Sequence, residues 1–556
     1  MLTVLFNWFH IVITTISLGY VFAKGIDKKF HYKINRFHHL VAIGLVIATV
    51  YAQVFSLFYK VGLVANILLL TTCAGIVVRY RKQIKADFRN YGKHIISVKS
   101  VVFIGIVLIW AFFTSRGIIH YDTDLYHAQS IRWIEEYGVI PGLGNLHVRF
   151  AYNSAVFALS ALFSMKFLLG QSLHTISGFF ALLLSVSVLN IGKSWREKCF
   201  RLSDFARIAA FYYLTMICDE VVSPASDYAI MCTIFYLVIE WLAVLEAPKE
   251  KRDSIVPYAL LCVGGVFAVS LKLTAGLILI LIIKPAYMLI RDKRWKEIAI
   301  YLSMGIIVIA PWLVRTVLIS GYLLYPFPAL DLFDVDWKIP AVAATLDSAE
   351  IKTWGRAIFD ASKVAMPMQE WFPNWFSTTL SGTEKLLILA DVGALLVFVV
   401  VAVYQLLRKR WEELDFILVM VAVTASYLFW QISAPLMRYG YSHVLLLVVL
   451  MAGYLFNRFT VKRQRFHRVF YVLVILVAIV KLIPLYSYAF SVGKQPFYLK
   501  QKDYGRYESV VYEINGVSFY YPVEGDRIGY ETFPSSTRKM ELEFRGESIR
   551  EGFKKK

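Results

Sequence analysis

The sequence is poor in charge for its length, and this shortage excludes an ordinary soluble protein. Only 18% of the 556 residues are charged, and 58% are hydrophobic. Soluble chains carry about a quarter charged residues. The apolar residues form separate runs of roughly 17–25, the length that crosses the hydrocarbon core of a bilayer. The composition therefore predicts a membrane protein.

The patterns of several familiar sites are also missing. The cysteines lie in or beside apolar runs, at no metal-ligand spacing, and so predict neither a disulfide framework nor a zinc site; they are Cys73, Cys199, Cys218, Cys232 and Cys262. There is no glycine-rich phosphate loop, no Ser-His-Asp pattern and no Cys/His cluster. The candidates for chemistry are therefore the acidic and basic residues near the ends of apolar runs.

The net charge of +20 is concentrated in short connections between apolar runs. Seven of them hold 32 of the 59 Lys and Arg residues against 11 acidic ones; they are Lys24–His39, Arg79–Lys99, Lys193–Arg207, Pro248–Ser254, Arg291–Glu297, Arg408–Asp415 and Asn457–Arg468. The intervening connections are neutral or acidic. This asymmetry marks the basic connections as cytoplasmic, and it favours contact with anionic lipid over nucleic acid.

These connections predict an all-α polytopic membrane protein of about 14 helices with both termini outside. The expected spans lie near 2–22, 40–59, 61–78, 100–117, 172–192, 207–220, 227–246, 256–271, 274–290, 298–318, 385–407, 416–431, 443–456 and 469–489. We divide the chain into N-terminal membrane helices (1–99), a membrane module (100–490) with external loops 116–171 and 319–384, and a tail (491–556). Alternating stretches in the tail, such as VVYEINGVSFYYP, predict short β-strands and a small extracytoplasmic module.

One apolar run does not fit this alternation. Tyr152–Gly170 is long enough to span, but a crossing there would place every later basic connection outside. We therefore expect this run to lie along the outer surface as an interfacial helix.

The sharpest candidate for chemistry is the acidic stretch Tyr121–His127. Asp122 and Asp124, with Tyr126 and His127 beside them, are a plausible base or metal-ligand set. The alternative is that one aspartate simply caps the helix that follows, and periodicity alone does not separate the two.

Other ionisable residues lie near the same predicted face of the membrane. Three carboxylates, Asp219, Glu220 and Asp227, occupy a short external turn, where capping of the next helix is the favoured explanation for Asp227. Lys272 lies among about 30 apolar residues, so it either serves a site or snorkels at a helix end. Arg315 and Arg438 lie near the outer ends of later helices.

This arrangement resembles the GT-C superfamily of polyprenyl-phosphate-dependent glycosyltransferases. The pattern is a helix ending at Trp110–Ser115, the acidic stretch Tyr121–His127, a juxtamembrane helix at Tyr152–Leu169 and the next span at Thr175–Leu189. Asp122 falls at the family's catalytic acid position, and Tyr126 matches a tyrosine common there. A closer resemblance is to membrane proteins of bacterial surface-polysaccharide clusters, especially in Bacteroidota, which supply no activity to carry over. It rests on YDTDLYHAQSIRWIEEYGVIPGLGNLH, SPASD, KLTAG, SGYLLYPFP and APLMRYG.

The resemblance implies an inverting glycosyltransferase in the bacterial inner membrane, with its active site facing the periplasm. It would move a sugar from a polyprenyl-phosphate donor to a glycan, lipid or protein acceptor. Asp122 would be the base and Asp124 would orient the acceptor or bind metal, while Lys272, Arg438 and Arg315 would surround the phosphate. Tyr126, His127 and Asp227 would contact substrate. The resemblance fixes no cofactor: Mg²⁺ or Mn²⁺ held by Asp124, Asp219 or Glu220 stays open, since only some family members need a metal.

Two other functions remain open from the sequence. A surface-polysaccharide polymerase or ligase would also have many spans and external arginines, but would use polyprenyl-pyrophosphate glycans. A lipid-oligosaccharide flippase would be built from two related halves, and the sequence shows no such repeat.

Overall fold

The computed structural model of the protein describes residues 1–34, 36–92, 98–192, 197, 199–409, 414–460 and 464–556. Parts of five predicted cytoplasmic connections lie outside the described residues, at 35, 93–97, 193–196 with 198, 410–413 and 461–463.

The described part is mostly helical. Its α-helices are α1 (Leu2–Phe30), α2 (Phe37–Phe58), α3 (Leu63–Gly92), α4 (Val98–Thr114), α5 (Ala128–Glu136), α6 (Leu143–Leu146), α7 (Ala155–Phe163), α8 (Lys166–Leu169), α9 (Ile176–Val188), α10 (Leu202–Met216), α11 (Ser226–Leu245), α12 (Lys249–Arg252), α13 (Ile255–Leu271), α14 (Ile283–Arg291), α15 (Trp295–Ser320), α16 (Ala341–Gly355), α17 (Met368–Asn374), α18 (Gly382–Leu407), α19 (Leu414–Ser433), α20 (Met437–Thr460) and α21 (Gln464–Val492).

Tighter and wider helical turns connect some of these helices. The 3₁₀ segments are Val148–Tyr152, Leu189–Ile191, Leu273–Ile282, Ala361–Lys363 and Ile549–Glu551, and the π-helical turns are Thr123–His127 and Trp375–Thr379. The tail contains strands β1 (Ser509–Ile514), β2 (Val517–Pro522), β3 (Leu542–Phe544) and β4 (Phe553–Lys555).

The protein is a multi-pass membrane protein. Within the described ranges, ten helical segments are long and apolar enough to cross a bilayer, and each overlaps a predicted span. The other four predicted spans correspond to shorter helices, α4, α9, α10 and α13. The count of fourteen crossings therefore stays a prediction.

The N-terminal helices pack directly on the rest of the membrane part. Asn7 of α1 donates to the carbonyl of Phe163 (2.6 Å), and the Trp8 indole donates to that of Thr175 (3.2 Å). The N-terminal ammonium donates to the carbonyl of Phe497, 2.8 Å away, just beyond the last helix. Both ends of the membrane part therefore lie on the same side, as an even number of crossings requires.

The run Tyr152–Gly170 differs from the expected surface helix. It breaks into α7 and α8, and all nine residues of α7 are buried. Asn153 and Ser154, which an interfacial helix would leave in water, instead donate to the carbonyls of Trp312 and Leu271 at 3.0 and 2.7 Å. The prediction of a helix exposed along the outer surface is wrong, because these polar groups bind neighbouring helices. At about 14 Å, α7 is also too short to cross a bilayer.

The chain turns sharply at Lys272, as the two flanking basic connections predict. Helix α13 ends at Leu271, Lys272 is extended (φ −157°, ψ 127°), and a ten-residue 3₁₀ segment follows. A 3₁₀ helix rises about 2.0 Å per residue and an α-helix about 1.5 Å. The ten 3₁₀ residues therefore make the returning arm, Leu273–Arg291, roughly 5 Å longer than an α-helix of the same number of residues. The added length helps a short apolar run to reach across the bilayer.

The tail forms two small antiparallel sheets, β1–β2 and β3–β4. The β1–β2 hairpin turns at Asn515 and Gly516, both with positive φ, as a two-residue turn in a twisted hairpin needs. This confirms the strands predicted from VVYEINGVSFYYP. The tail shares a hydrophobic core with both loops that are predicted to be external; its members include Trp133, Phe150, Tyr322, Ile339, Phe519 and Phe553.

Candidate functional site

Four charged side chains from separate parts of the chain meet at one point. They are Asp122 after α4, Asp227 in the first turn of α11, Lys272 in the turn after α13, and Arg438 in the first turn of α20. The guanidinium of Arg438 pairs with Asp122 Oδ2 through Nη2, and its Nε lies 3.4 Å from Asp227 Oδ2. Lys272 Nζ pairs with Asp227 Oδ1. We call these four residues the charged cluster.

Neither aspartate of the charged cluster caps a helix. Asp122 immediately precedes the π-helical turn Thr123–His127 and makes no capping hydrogen bond. Asp227 lies inside the first turn of α11, whose N-cap is Ala225, and its carboxylate contacts the two cations instead. The capping explanation favoured for Asp227 is therefore wrong, because cations from α20 and the α13 turn reach its carboxylate. π-Helical turns are rare and concentrate at functional sites.

Two further residues contact Asp122, and sequence reasoning missed both. Arg149 Nη1 lies 3.7 Å from Asp122 Oδ1. The ring of His120 packs against the Arg438 guanidinium, and its Nδ1 accepts from the backbone N–H of Asp122 at 3.1 Å. The position of His120 directly before the acidic stretch Tyr121–His127 is the one sequence feature that could have pointed to this residue. Arg149 lies in an unremarkable stretch, and only the fold brings it to the site.

The charged cluster is sheltered but reachable. Its side chains are between 9% and 23% exposed, so the charges are largely desolvated yet open to a ligand. Burial by itself raises the pKa of Asp122, but the charge of Arg438 and the hydrogen bond from its guanidinium outweigh burial and hold that pKa below its usual range. Burial, and then the charge of Arg438, lower the pKa of His120, so its ring is neutral at pH 7. Asp122 is therefore an anion held by arginine.

Asp124 lies two residues away but faces the tail. Its carboxylate accepts from the backbone N–H of Gly505 (3.1 Å) and the hydroxyl of Tyr507 (2.9 Å). Its backbone carbonyl accepts from the N–H groups of Ile528 and Gly529, both at 2.8 Å. Asp124 thus joins the external loop to the tail, away from the cations.

The two aromatic candidates pack on one another and on Phe157. The centre of the His127 ring lies 4.3 Å from that of Tyr126 and 5.4 Å from that of Phe157. Burial lowers the pKa of His127 to about 3, which makes it a poor proton acceptor. Burial, then the charge of Asp122, raise the pKa of Tyr126 well above its ordinary value. Tyr126 is therefore a neutral hydroxyl next to the acidic residue.

Arg315 lies apart from the charged cluster. It is 2% exposed, its Nε donates to Asn153 Oδ1 at 3.0 Å, and its Nη1 bonds to Ser56 Oγ. These contacts tie α15 to α2 and to the start of α7. The structure thus places Arg315 among polar partners inside the helix bundle.

The carboxylates proposed as metal ligands do not gather. Tyr228 donates its hydroxyl to Glu220 at 2.5 Å, and the Asp219 carbonyl accepts from Ile118 N–H at 2.8 Å. Burial raises the pKa of both carboxyls. In the part of the chain that the structure describes, Asp124, Asp219 and Glu220 form no group close enough to share one ion.

A further carboxylate near the charged cluster comes from the second predicted external loop. Asp347 of α16 is 3% exposed and accepts from the Tyr152 hydroxyl at 2.9 Å. Burial raises its pKa to about 6, although the hydrogen bond from Tyr152, the nearby Tyr325 hydroxyl and the charge of Arg149 oppose the shift. Arg149 therefore influences both Asp122 and Asp347. The sequence offered no signal for Asp347, which sits in an ordinary helical stretch.

The charged cluster and Arg149 together suit an anionic ligand. Lys272, Arg438 and Arg149 bring three cationic donors to one place. A phosphate is a strong acceptor for arginine and lysine, and arginine can hold it through two parallel hydrogen bonds. An anion bound by Arg438 would compete with Asp122 for the guanidinium. Asp122 would then regain the basicity that the ion pair suppresses.

Comparison with known proteins places the chain in one family. Its residues 1–445 match the model of a domain of unknown function, DUF8201. No curated protein and no solved structure matches the chain. The matched range includes the N-terminal helices and every residue of the charged cluster, and it ends before the tail. Since it covers 445 of the 556 residues, the chain belongs to the DUF8201 family.

Proposed function

We propose that this protein is an inverting glycosyltransferase that takes its sugar from a polyprenyl-phosphate carrier. The observation that carries the proposal is the meeting of Asp122 with Arg438 and Lys272, a carboxylate beside cations. A base and a phosphate site are the two things that transfer from a lipid-linked phosphosugar requires.

The order of events follows from the ion pairs. The donor phosphate binds Arg438 and Lys272 and draws them away from Asp122 and Asp227. Asp122 then takes the proton of the acceptor hydroxyl as that oxygen attacks the anomeric carbon. The bond from the anomeric carbon to the phosphate oxygen breaks, and the electron pair leaves with the polyprenyl phosphate. Attack opposite the leaving group inverts the anomeric carbon.

The other residues have supporting roles in this proposal. Asp227 holds Lys272 and Arg438 in place before the donor arrives, and Arg149 orients Asp122. Tyr126 lies where a substrate hydroxyl would meet it, with His127 packed behind it. Mg²⁺ or Mn²⁺ is not required by this scheme, since the cations face the leaving phosphate.

The proposal also includes the architecture and the location of the protein. We propose a GT-C-like bundle of about 14 helices in the bacterial inner membrane, with the charged cluster facing the periplasm. The acceptor is a glycan, lipid or protein. The membrane position supports this choice, because a polyprenyl tail stays in the bilayer while its phosphate reaches the helix ends that carry Asp227, Lys272 and Arg438.

The test is turnover by the purified protein in nanodiscs, with a panel of polyprenyl-phosphate sugars and released polyprenyl phosphate as the readout. Asp122→Asn keeps the shape of the side chain and removes the proton acceptor, so turnover should fall by roughly 10²–10⁴ with little change in melting temperature. Glu370→Gln, at an exposed position of the second external loop, is the control and should keep full turnover.

Two results would count against the proposal. Normal turnover in Asp122→Asn would remove Asp122 as the base. Turnover confined to polyprenyl-pyrophosphate donors would favour a polysaccharide polymerase or ligase instead.

A further inference from the structure

A second polar group lies at the opposite end of α11 from the charged cluster. Glu240 follows Asp227 by 13 positions, about 20 Å along the helix. It meets His38 and His39, which begin α2 after a basic connection. By the charge asymmetry this end is cytoplasmic, so the group is remote from the proposed transfer site. We call His38, His39 and Glu240 the histidine group.

The histidine group has the composition and closeness of a metal site. One ring nitrogen from each histidine and one carboxylate oxygen all lie within 4.8 Å of one another. His39 Nε2 is 2.9 Å from Glu240 Oε2. In the part of the chain that the structure describes, no other three His, Cys, Asp or Glu residues are this close.

Neighbouring side chains orient two of the three residues. His38 Nδ1 is hydrogen-bonded to the Tyr236 hydroxyl at 3.0 Å, and Ser187 donates its hydroxyl to Glu240 Oε1 at 2.8 Å. Metal-binding histidines and carboxylates are commonly held in this way by an outer partner on the atom that does not touch the metal. Each residue thus keeps one atom for a ligand.

The free atom of His38 has no partner in this arrangement. His38 is 7% exposed, and its Nε2 is buried without a hydrogen bond. A buried polar atom left without a partner costs free energy, and a bound ion would remove that cost. This observation separates the histidine group from a simple ion pair, since His39 and Glu240 alone would leave His38 Nε2 unsatisfied.

One nearby cation must be accommodated. Arg36 Nη1 lies 3.4 Å from Glu240 Oε2, but the Arg36 side chain is 53% exposed. It can turn into solvent when another positive charge reaches the carboxylate. Ligand atoms around a tetrahedral zinc ion lie roughly 3.4 Å apart, so side-chain shifts of about 1 Å convert the present distances into a coordination shell.

We propose that His38, His39 and Glu240 bind one divalent transition-metal ion of the zinc type. Two imidazoles and one carboxylate are a zinc ligand set that leaves the fourth position open. His39 and Glu240 also line an apolar cavity of about 440 Å³ between α2, α9, α11, α13 and α15. A ligand in the open position therefore has a carbon-lined space beside it.

The test measures metal binding and does not depend on turnover, so its failure would leave the proposed glycosyl transfer unaffected. The purified full-length protein is stripped with a chelator and titrated with Zn²⁺ by calorimetry and with Co²⁺ by visible absorption. We expect one ion per chain and the strong absorption of tetrahedral Co²⁺. His38→Ala and Glu240→Gln should each weaken binding at least 100-fold, and Tyr236→Phe by roughly 10–100-fold.

His10→Ala is the matched control, because His10 lies in α1 outside the histidine group, and it should bind like the unaltered protein. Tyr236→Phe keeps the packing of its ring, so it tests the proposal even if His38→Ala fails to fold. Absence of stoichiometric binding, or equal binding in Glu240→Gln, would overturn the proposal and leave only a His39–Glu240 ion pair.

Discussion

At the scale of single residues, Asp347 links stability to pH. Its pKa in the folded protein is about 6, and an unperturbed aspartate has about 3.9. The folded protein therefore holds this proton more tightly than the unfolded chain does. The contribution of this proton to the free energy of unfolding is complete below about pH 4. It is lost as pH rises through 6, and the loss is about 3 kcal/mol.

We therefore expect Asp347→Asn to change the pH profile of thermal unfolding in detergent. The unaltered protein should lose melting temperature between pH 4 and pH 7 relative to Asp347→Asn, which has no proton to release. Asp334→Asn, at an exposed position of the same loop, is the control. Parallel profiles for the unaltered protein and Asp347→Asn would show that this carboxyl is not buried as described.

The residues of the site were predictable only where the sequence marks them as unusual. Asp122 stood out because two carboxylates lie beside a tyrosine and a histidine just beyond a membrane helix. Lys272 stood out because a charge within an apolar run is costly and needs a reason. Arg149 and Asp347 lie in polar loops, where charge is ordinary, so only the fold reveals that they converge. Arg315 binds neighbouring helices, and an arginine near a helix end does not reveal from the sequence alone whether it serves the fold or a ligand.

At the scale of elements, the hairpin at Lys272 carries the next prediction. Lys272 Nζ pairs with Asp227 and lies 3.5 Å from the centre of the Tyr439 ring. Lys272→Met keeps the apolar stem and removes the ammonium, so the donor should bind roughly 10–100-fold more weakly, the loss expected for one charged hydrogen bond. Lys272→Arg should retain part of the affinity. The measurement is turnover against donor concentration.

Lys284 supplies the matched control for this hairpin. It lies on the returning arm, 2.6 Å from Asp415, and pairs there with a carboxylate at a distance from the charged cluster. Lys284→Met should leave the donor dependence unchanged. If Lys272→Met also leaves it unchanged, Lys272 only holds Asp227, and the phosphate contacts must come from Arg438 and Arg149.

The elements themselves were largely predictable, because bilayer thickness fixes the length of an apolar run and basic connections fix its direction. The turn at Lys272 follows from two basic connections that flank one long run. Helix α7 was the exception. Its apolar face could pack on lipid or on protein, and composition does not distinguish these two environments.

At the scale of the whole molecule, the sidedness inferred from charge can be measured directly. In a background with the exposed Cys199 changed to Ser, single cysteines replace Ser362 and Lys249, which are both exposed. An impermeant maleimide should label Ser362→Cys in intact cells and Lys249→Cys only after permeabilisation. The reverse pattern would place the charged cluster in the cytoplasm and remove the reason for a flipped lipid donor.

The family match ends at residue 445 and so does not reach the tail, yet the tail contacts the loop that carries Asp122. Asp124 accepts from Gly505 and Tyr507, and a methyl group on Gly505 would clash with Asp124 Oδ2. The same contact can therefore be broken from either side. Asp124→Ala removes the acceptor, and Gly505→Ala obstructs it while leaving the carboxylate intact.

If Asp124 acts by holding the tail, the two substitutions should behave alike. Both should make residues 500–556 more sensitive to limited proteolysis, and both should lower turnover by a similar factor, roughly tenfold, because the π-helical turn beside Asp122 loses its support. Arg506→Ala, whose side chain is 72% exposed, should change neither property. If Asp124→Ala abolishes turnover while Gly505→Ala loosens the tail and spares turnover, Asp124 acts on substrate or metal directly. In that case Asp122 and Asp124 would both act in the transfer reaction, as their spacing in the sequence first suggested.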